Sequence, residues 1–132
     1  MDIIAWSNTY SVEHETIDKQ HQRLIEMVNA LFVANNPESV SKILNGLVEY
    51  TVYHFDTEDK FMQEHKYPQK DYDSHKKDHI DFIAEAQKAV ASFKADDQIM
   101  KENLLVYLTK WLKNHILTQD KKLGEFLSND DI

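Results

Sequence analysis

Residues that break a backbone are scarce in this chain: 132 residues contain two glycines and two prolines. Tight β-turns draw on those residues at fixed places, so their scarcity favours helices over a hairpin-rich sheet. The apolar residues carry the same message, recurring every three or four positions in four segments, which is the helical period. In the first, Ile17, His21, Leu24, Ile25, Val28, Leu31 and Phe32 share one face. The second starts at Pro37, a good first-turn residue behind Asn36 as a cap. Its stripe runs Val40, Ile43, Leu44, Leu47, Thr51, His54, Glu58, Phe61, Met62 and His65. After the loop "KYPQK" the third presents Tyr72, His75, His79, Phe82, Ile83, Ala86, Val90 and Phe93. After "KADD" the fourth presents Leu104, Leu105, Leu108, Trp111, Leu112, His115 and Ile116.

Short connections make consecutive helices antiparallel neighbours, and four helices with one wide apolar stripe each close into a bundle. The expected fold is all-α: an up-down-up-down antiparallel four-helix bundle over residues 1–132 as a single domain. An N-terminal arm and a short C-terminal helix around Leu123 to Leu127 complete it. A chain of this length can bury a real core, and 42% hydrophobic with 29% charged residues is a globular composition.

The formal net charge of −8 argues against a nucleic-acid or anionic-membrane partner. The absence of cysteine excludes disulfides and thiolate metal sites. The start "MDIIAWSNTY" has neither the basic nor the long apolar region of a signal peptide. No apolar run reaches the roughly 18 residues of a membrane span, so the expected location is the cytoplasm.

The stripes carry polar residues of one kind. His21, His54, His75, His79 and His115 lie at core-facing positions, at least one on each helix. A single such histidine reads as a satisfied core residue; five, brought by antiparallel packing toward one end of the bundle, read as a site. Glu58 strengthens this, because an ionised carboxylate in a core is very costly unless it is paired or binds a metal. "HFDTE" puts His54 and Glu58 one turn apart, and "HKKDH" does the same for His75 and His79. Metals favour such spacing because both side chains reach one ion from successive turns. In "HILTQD" His115 and Asp120 are five apart, about 140° round an ideal helix. Asp120 is therefore either a solvated helix-end residue or a site member, the latter only if the helix ends, tightens or bulges between the two. His14, ahead of the first helix, reads as a surface residue. His65 lies about 10 Å along the helix axis from Glu58, too far to share an ion, and reads as a bundle-end residue.

Taken in order, "IDKQHQRLI", "HFDTEDKFM", "YPQKDYDSHKKDHIDF" and "WLKNHILTQD" resemble the signature segments of the hemerythrin family, and "WS" at 6–7 resembles the start of its N-terminal arm. The length is similar to that of the single-domain bacterial members, the bacteriohemerythrins. The resemblance implies two iron ions per chain in a non-haem site that binds O2 reversibly. It assigns His75, His79 and His115 to one iron and His21 and His54 to the other. Glu58 and Asp120 then bridge both, with an oxo or hydroxo group as third bridge. On that assignment the two-histidine iron is five-coordinate, and O2 binds there end-on as hydroperoxide. Leu24, Phe55, Trp111, Leu112 and Ile116 are expected to form the dry O2 pocket, with Leu24 over the open position and Leu47 in the core away from it.

The expected function is O2 carriage, storage or delivery without catalytic turnover, with O2 itself as partner and an O2-consuming protein as a possible receiver. Rival readings are an O2 or redox sensor acting through a separate protein, a di-iron oxidase or peroxidase, and a structural zinc site. The oxidase is disfavoured because carboxylate-rich shells, rather than five imidazoles and two carboxylates, suit ferritin-like oxidation. Tetrahedral zinc would leave several of the seven donors idle.

Overall fold

The structure, a computed structural model, describes residues 3–94 and 96–130, of Asp130 the backbone only. Four long helices form the bundle: α1 (Glu15–Val33), α2 (Pro37–Glu64), α3 (Gln69–Ser92) and α4 (Gln98–His115). A five-residue π-helical turn, Ile116–Asp120, leads from α4 into α5 (Lys121–Asp130). Among the described residues there is no strand, and no helix is long and apolar enough to cross a membrane.

Local chemistry sets the helix ends. Asn36 accepts a hydrogen bond from the Ser39 N–H at 2.9 Å, with Pro37 in the first turn as expected. Asp97 accepts from Ile99 and Met100 at 3.0 and 3.1 Å to start α4. His14 has a role its exposed-looking position did not suggest. Its Nδ1 accepts from the Ile17 N–H at 3.4 Å, capping α1, and its ring packs edge-on against Phe61 with centroids 4.6 Å apart. At the end of α2, Lys66 takes φ 54°, in the left-handed region. The Tyr67 N–H then bonds to the Met62 carbonyl at 2.9 Å and the Lys66 N–H to the Gln63 carbonyl at 3.3 Å. This is the Schellman arrangement, built here without its usual glycine.

The stripes pack as the period requires. Ile17, Leu24, Ile25, Val28 and Leu31 of α1 are buried against Val40, Leu44, Leu47 and Met62 of α2, Phe82 and Ala86 of α3, and Leu104, Leu105, Leu108 and Leu112 of α4. Stripe-edge residues such as Phe32, Ile43, Tyr72, Ile83 and Trp111 are partly buried against this core. One residue of α4 departs from the apolar pattern. Lys101 is buried, and its ammonium donates to the carbonyls of Phe32 at 3.1 Å and Ala34 at 2.5 Å, satisfying acceptors that the end of α1 leaves open.

The N-terminal arm is tied down along α1. Asn29 Oδ1 accepts from the Ile3 and Ile4 N–H groups at 2.9 and 3.1 Å, and its amide donates to the Ile4 carbonyl at 2.7 Å. Asp18 holds the arm's other end through Ser11 Oγ at 2.6 Å and the Val12 N–H at 2.8 Å. The C-terminal helix is longer than the expected Leu123 to Leu127 and runs on from α4 without a loop, since Lys121 to Leu127 keeps an apolar face that buries Leu123 and Leu127 completely or nearly so. Gly124 lets that face meet the arm: a Cβ there would collide with the Val12 carbonyl oxygen and lie 2.9 Å from the Val12 Cβ.

The two glycines should therefore respond oppositely to alanine. Gly124→Ala is expected to destabilise the fold by about 1–3 kcal/mol, as overpacking does. Gly46→Ala, whose Cβ would meet only the Met27 Cε at an ordinary 3.6 Å, should stabilise α2 by roughly 0.5–1 kcal/mol. Urea unfolding of the two variants checks both signs.

Candidate metal centre

Seven buried side chains meet at one end of the bundle: His21 from α1, His54 and Glu58 from α2, His75 and His79 from α3, His115 from α4 and Asp120 from the π turn. Their donor atoms form two overlapping groups, each within 4.8 Å: His75, His79 and His115 with Glu58 and Asp120, and His21 and His54 with the same two carboxylates. The π turn is what admits Asp120. Its wider winding, marked by the Lys121 N–H bonding to the Ile116 carbonyl five residues back, brings Asp120 round toward the face of His115. Asp120 Oδ1 lies 3.1 Å from His115 Nε2 and 3.1 Å from His75 Nε2, and its Oδ2 lies 2.8 Å from His21 Nε2.

Apart from the His79 Nε2–His115 Nε2 pair, the donors approach one another without a hydrogen bond between them. Glu58 Oε1 lies 3.2 Å from His79 Nε2 and 3.3 Å from His54 Nε2. Even so, all four carboxylate oxygens and the Nε2 atoms of His21, His54 and His75 are buried without a hydrogen-bond partner. Orphaned groups of this kind are expensive in a dry core. Lone pairs that converge on shared points without satisfying each other fit cations placed between them. Two imidazole nitrogens on one ion at about 2.1 Å and a right angle would stand about 3.0 Å apart, which is the separation of His79 Nε2 and His115 Nε2, 3.0 Å. A set of imidazoles and carboxylates without thiolate suits iron or another borderline ion of high coordination number.

The family profile described as "Hemerythrin HHE cation binding domain" matches residues 12–127. This chain belongs to the hemerythrin family. A "Bacteriohemerythrin" of Stenotrophomonas maltophilia (strain R551-3) is 34% identical over 128 residues, 95% of this chain and 82% of that protein. A "Myohemerythrin" of Theromyzon tessulatum is 32% identical over 117 residues, covering 89% and 88% of the two chains. A crystal structure titled as wild-type hemerythrin superposes with a TM-score of 0.85 at 27% identity, covering 96% of this chain and 98% of that one.

Around this hemerythrin cluster, charge is finely divided. Burial works against ionising Glu58, but His54 first, and the close approach of Asp120 and His115, outweigh it and hold the carboxyl well below the usual range. Burial and Glu58 both work against Asp120, and His115 and His21 overcome them in the same direction. Among the described residues, the ion-pair partners of both carboxylates are all histidines. Burial disfavours protonated His75, yet Asp120 and Glu58 push it up to about 9; His115 is likewise raised against burial, by Asp120 first. In His79 burial wins, and its value falls to about 4.

A second layer orients two of the rings, and apolar periodicity gave no sign of its Asp78 member. Asp78 Oδ2 lies 2.5 Å from His115 Nδ1, and Gln20 Oε1 lies 2.7 Å from His54 Nδ1. The signal was present for Gln20, which sits beside His21 on the same buried edge. Aromatic rings cover the three-histidine side: Phe55 stacks on His79 at 3.7 Å and Trp111 on His115 at 4.5 Å.

An apolar cavity of about 20 Å³, room for one water-sized molecule, adjoins the cluster. Its wall includes His21, His54, Leu24, Phe55, Trp111 and Leu112. Of the residues expected to form a pocket, Ile116 is fully buried but does not line this cavity; one step past His115 turns it about 100° round the helix. Leu47 is not remote from the site, because it lines the same cavity. Two turns of α2 before His54 still face the same space. Thr51 also lines it, with its hydroxyl already donated to the Leu47 carbonyl at 2.7 Å.

Glu58→Ala is expected to lower bound metal per chain sharply, whereas His14→Ala and His65→Ala keep it. His14→Ala should instead cost about 1 kcal/mol of stability through the lost cap. Metal content and thermal unfolding of the three variants separate these effects.

The metal-free protein should also show a signed pH dependence. His75 has a folded value of about 9 against an ordinary 6.5, so its protonation stabilises the fold fully below pH 6.5 and ceases to do so as pH rises through 9. A metal ion bound by His75 must displace that proton, so apparent metal affinity should strengthen across the same window, with proton release at pH 7. Melting temperatures of the metal-free protein and metal titrations in weak buffer test the pair of trends.

Proposed function

We propose that this hemerythrin binds O2 reversibly at two iron ions, as a carrier, store or donor of O2 and not as an enzyme, with the whole chain acting as one domain. The observation that carries this reading is the apolar cavity against His21, His54, His115 and Asp120 of a buried cluster of five imidazoles and two carboxylates. His75, His79 and His115 would hold one iron, His21 and His54 the other, and Glu58 and Asp120 would bridge them together with an oxo or hydroxo group. When bound, the iron pair supplies two electrons and an open coordination position for O2 on the His21/His54 side.

The rest is work for the chain. Two carboxylates and one hydroxo bridge would offset three of the four charges of two ferrous ions and leave little net charge in the core. Five neutral imidazoles keep the negative charge from rising as it would in a carboxylate-rich shell, which supports binding over oxidation. Leu24, Phe55, Trp111 and Leu112 form an apolar wall, and Thr51 offers the cavity no free hydroxyl. A small apolar guest is admitted there on better terms than water or an anion, each of which would lose hydrogen bonds. Apart from His21, His54, His115 and Asp120, which would be occupied as ligands, the wall holds no titratable side chain to donate a proton to bound O2, and that favours release of O2 unchanged.

The test is an absorption titration of the reduced, two-iron protein with O2, followed by vacuum. The expected result is uptake of one O2 per chain and return of the starting spectrum. Irreversible bleaching, substrate turnover, or a metal content of one ion or mainly zinc would sink the reading. Leu24→Ala should shorten the life of the O2-loaded protein and speed azide entry while iron content holds. Leu31→Ala, buried but outside the cavity wall, serves as the control; equal decay in both variants would remove Leu24 from the gate.

A further inference from the structure

The two halves of the cluster differ in what stands behind their imidazoles. On the three-histidine side, His115 Nδ1 meets the carboxylate of Asp78 at 2.5 Å. On the two-histidine side, His54 Nδ1 meets the amide oxygen of Gln20 at 2.7 Å. The orientation of that amide follows from its other end: Gln20 Nε2 donates to Thr57 Oγ1 at 3.2 Å, and Thr57 Oγ1 donates to the Tyr53 carbonyl at 3.1 Å. Both contacts place the ring proton on Nδ1 and leave the Nε2 lone pair facing the cluster. One backing group is an anion and the other is neutral. The Nδ1 atoms of His21, His75 and His79 are buried without any hydrogen-bond partner.

We propose that Asp78 and Gln20 are positioning residues that make the two ion positions unequal, so that the His75/His79/His115 position fills first and the His21/His54 position fills second and empties first. This rests on the two-ion reading above. A carboxylate behind an imidazole raises its basicity and adds a negative charge one ring away from the ion, whereas an amide fixes only the ring's tautomer and direction. Asp78 therefore reinforces a position that already has three imidazoles. Gln20 holds His54 in place without strengthening it, on the side where an open coordination position is needed and where His21 and His54 both line the cavity. A half-loaded chain, with one ion in the three-histidine position, is the intermediate of assembly and of metal loss.

The inequality also protects the fold. The better-held ion sits beneath the stacked rings of Phe55 and Trp111, so loss of the other leaves α2, α3 and α4 still joined through one ion. The His21 donor, on α1, is then the one released.

The experiment is a titration of the iron-free protein with cobalt(II) under argon, following visible absorption and the number of ions bound. Cobalt(II) has the charge of ferrous iron and a spectrum sensitive to ligand number. Wild type is expected to take up two ions in two resolved steps. Asp78→Asn keeps a hydrogen-bond acceptor of the same shape but removes the charge. It should weaken the first step about tenfold, the lower end of the range for such residues because Asp78 is partly open to solvent. Asp78→Glu should restore part of it. Gln20→Glu, which adds the charge on the other side, should tighten the second step by a similar factor and leave the first unchanged. Matching melting temperatures exclude a merely structural effect. If Asp78→Asn does not fold, Gln20→Glu alone decides. Two ions bound with the same stepwise affinities in these variants overturn this inference and leave the two-ion reading standing. Uptake of a single ion by wild type overturns the two-ion reading and this inference with it.

Discussion

Glu58 and Asp120 are wholly out of water and held in their charged forms, and the architecture of this end of the bundle follows from that. A buried carboxylate costs several kcal/mol that only positive charge and hydrogen bonds can offset. Every helix of the bundle contributes an imidazole within reach of one or both carboxylates. The proton distribution among those rings, high on His75 and His115 and low on His79, is the chain's own partial answer. Cations of higher charge are the complete one, and the proposed iron pair is the form of that answer which the orphaned lone pairs fit.

Such a centre needs a scaffold that is stable without it. The far half of the bundle supplies this through Leu31, Val40, Leu44 and Leu104, which carry no polar duty. Lys101 closes the end of α1 there with two carbonyl bonds. At the cluster's end, the arm and α5 press together at Val12 and Gly124. Stability and site chemistry thus occupy opposite ends of the same helices, and the aromatic rings of Phe55, Phe82 and Trp111 form the boundary between them. A small dry cavity at that boundary follows from packing rigid rings beside rigid rings, since their edges cannot fill every gap.

How much of this was legible in the residues depended on whether the information was local. Four helices, their caps at Asn36 and their stripes are properties of spacing, and spacing is written in the chain. The clustering of five histidines and Glu58 followed from the same periodicity, because a helix face maps sequence directly onto space. His14 stays outside the cluster, as its place ahead of the first helix implies, but its capping role and its contact with Phe61 depend on where the chain enters the helix, not on composition. Gln20 and Asp78 escaped notice because a polar residue next to a stripe is ordinarily solvated, and only the neighbouring helix determines otherwise.

The sequence by itself determined an all-α bundle, six of the seven clustered side chains and, through its motifs, the resemblance to hemerythrins. Tertiary structure decided the rest. Asp120 enters the cluster because the backbone winds wider for five residues, a choice between nearly equal helical hydrogen-bond patterns that the imidazoles of His21, His75 and His115 facing its carboxylate tip. The cavity wall draws on Leu47, Thr51 and Phe82 as well as on the residues next to the histidines in sequence. Packing across four helices, not spacing along one, sets which atoms meet there. The unequal backing of His115 and His54 is likewise a contact between residues 37 and 34 positions apart, and no local pattern can specify it.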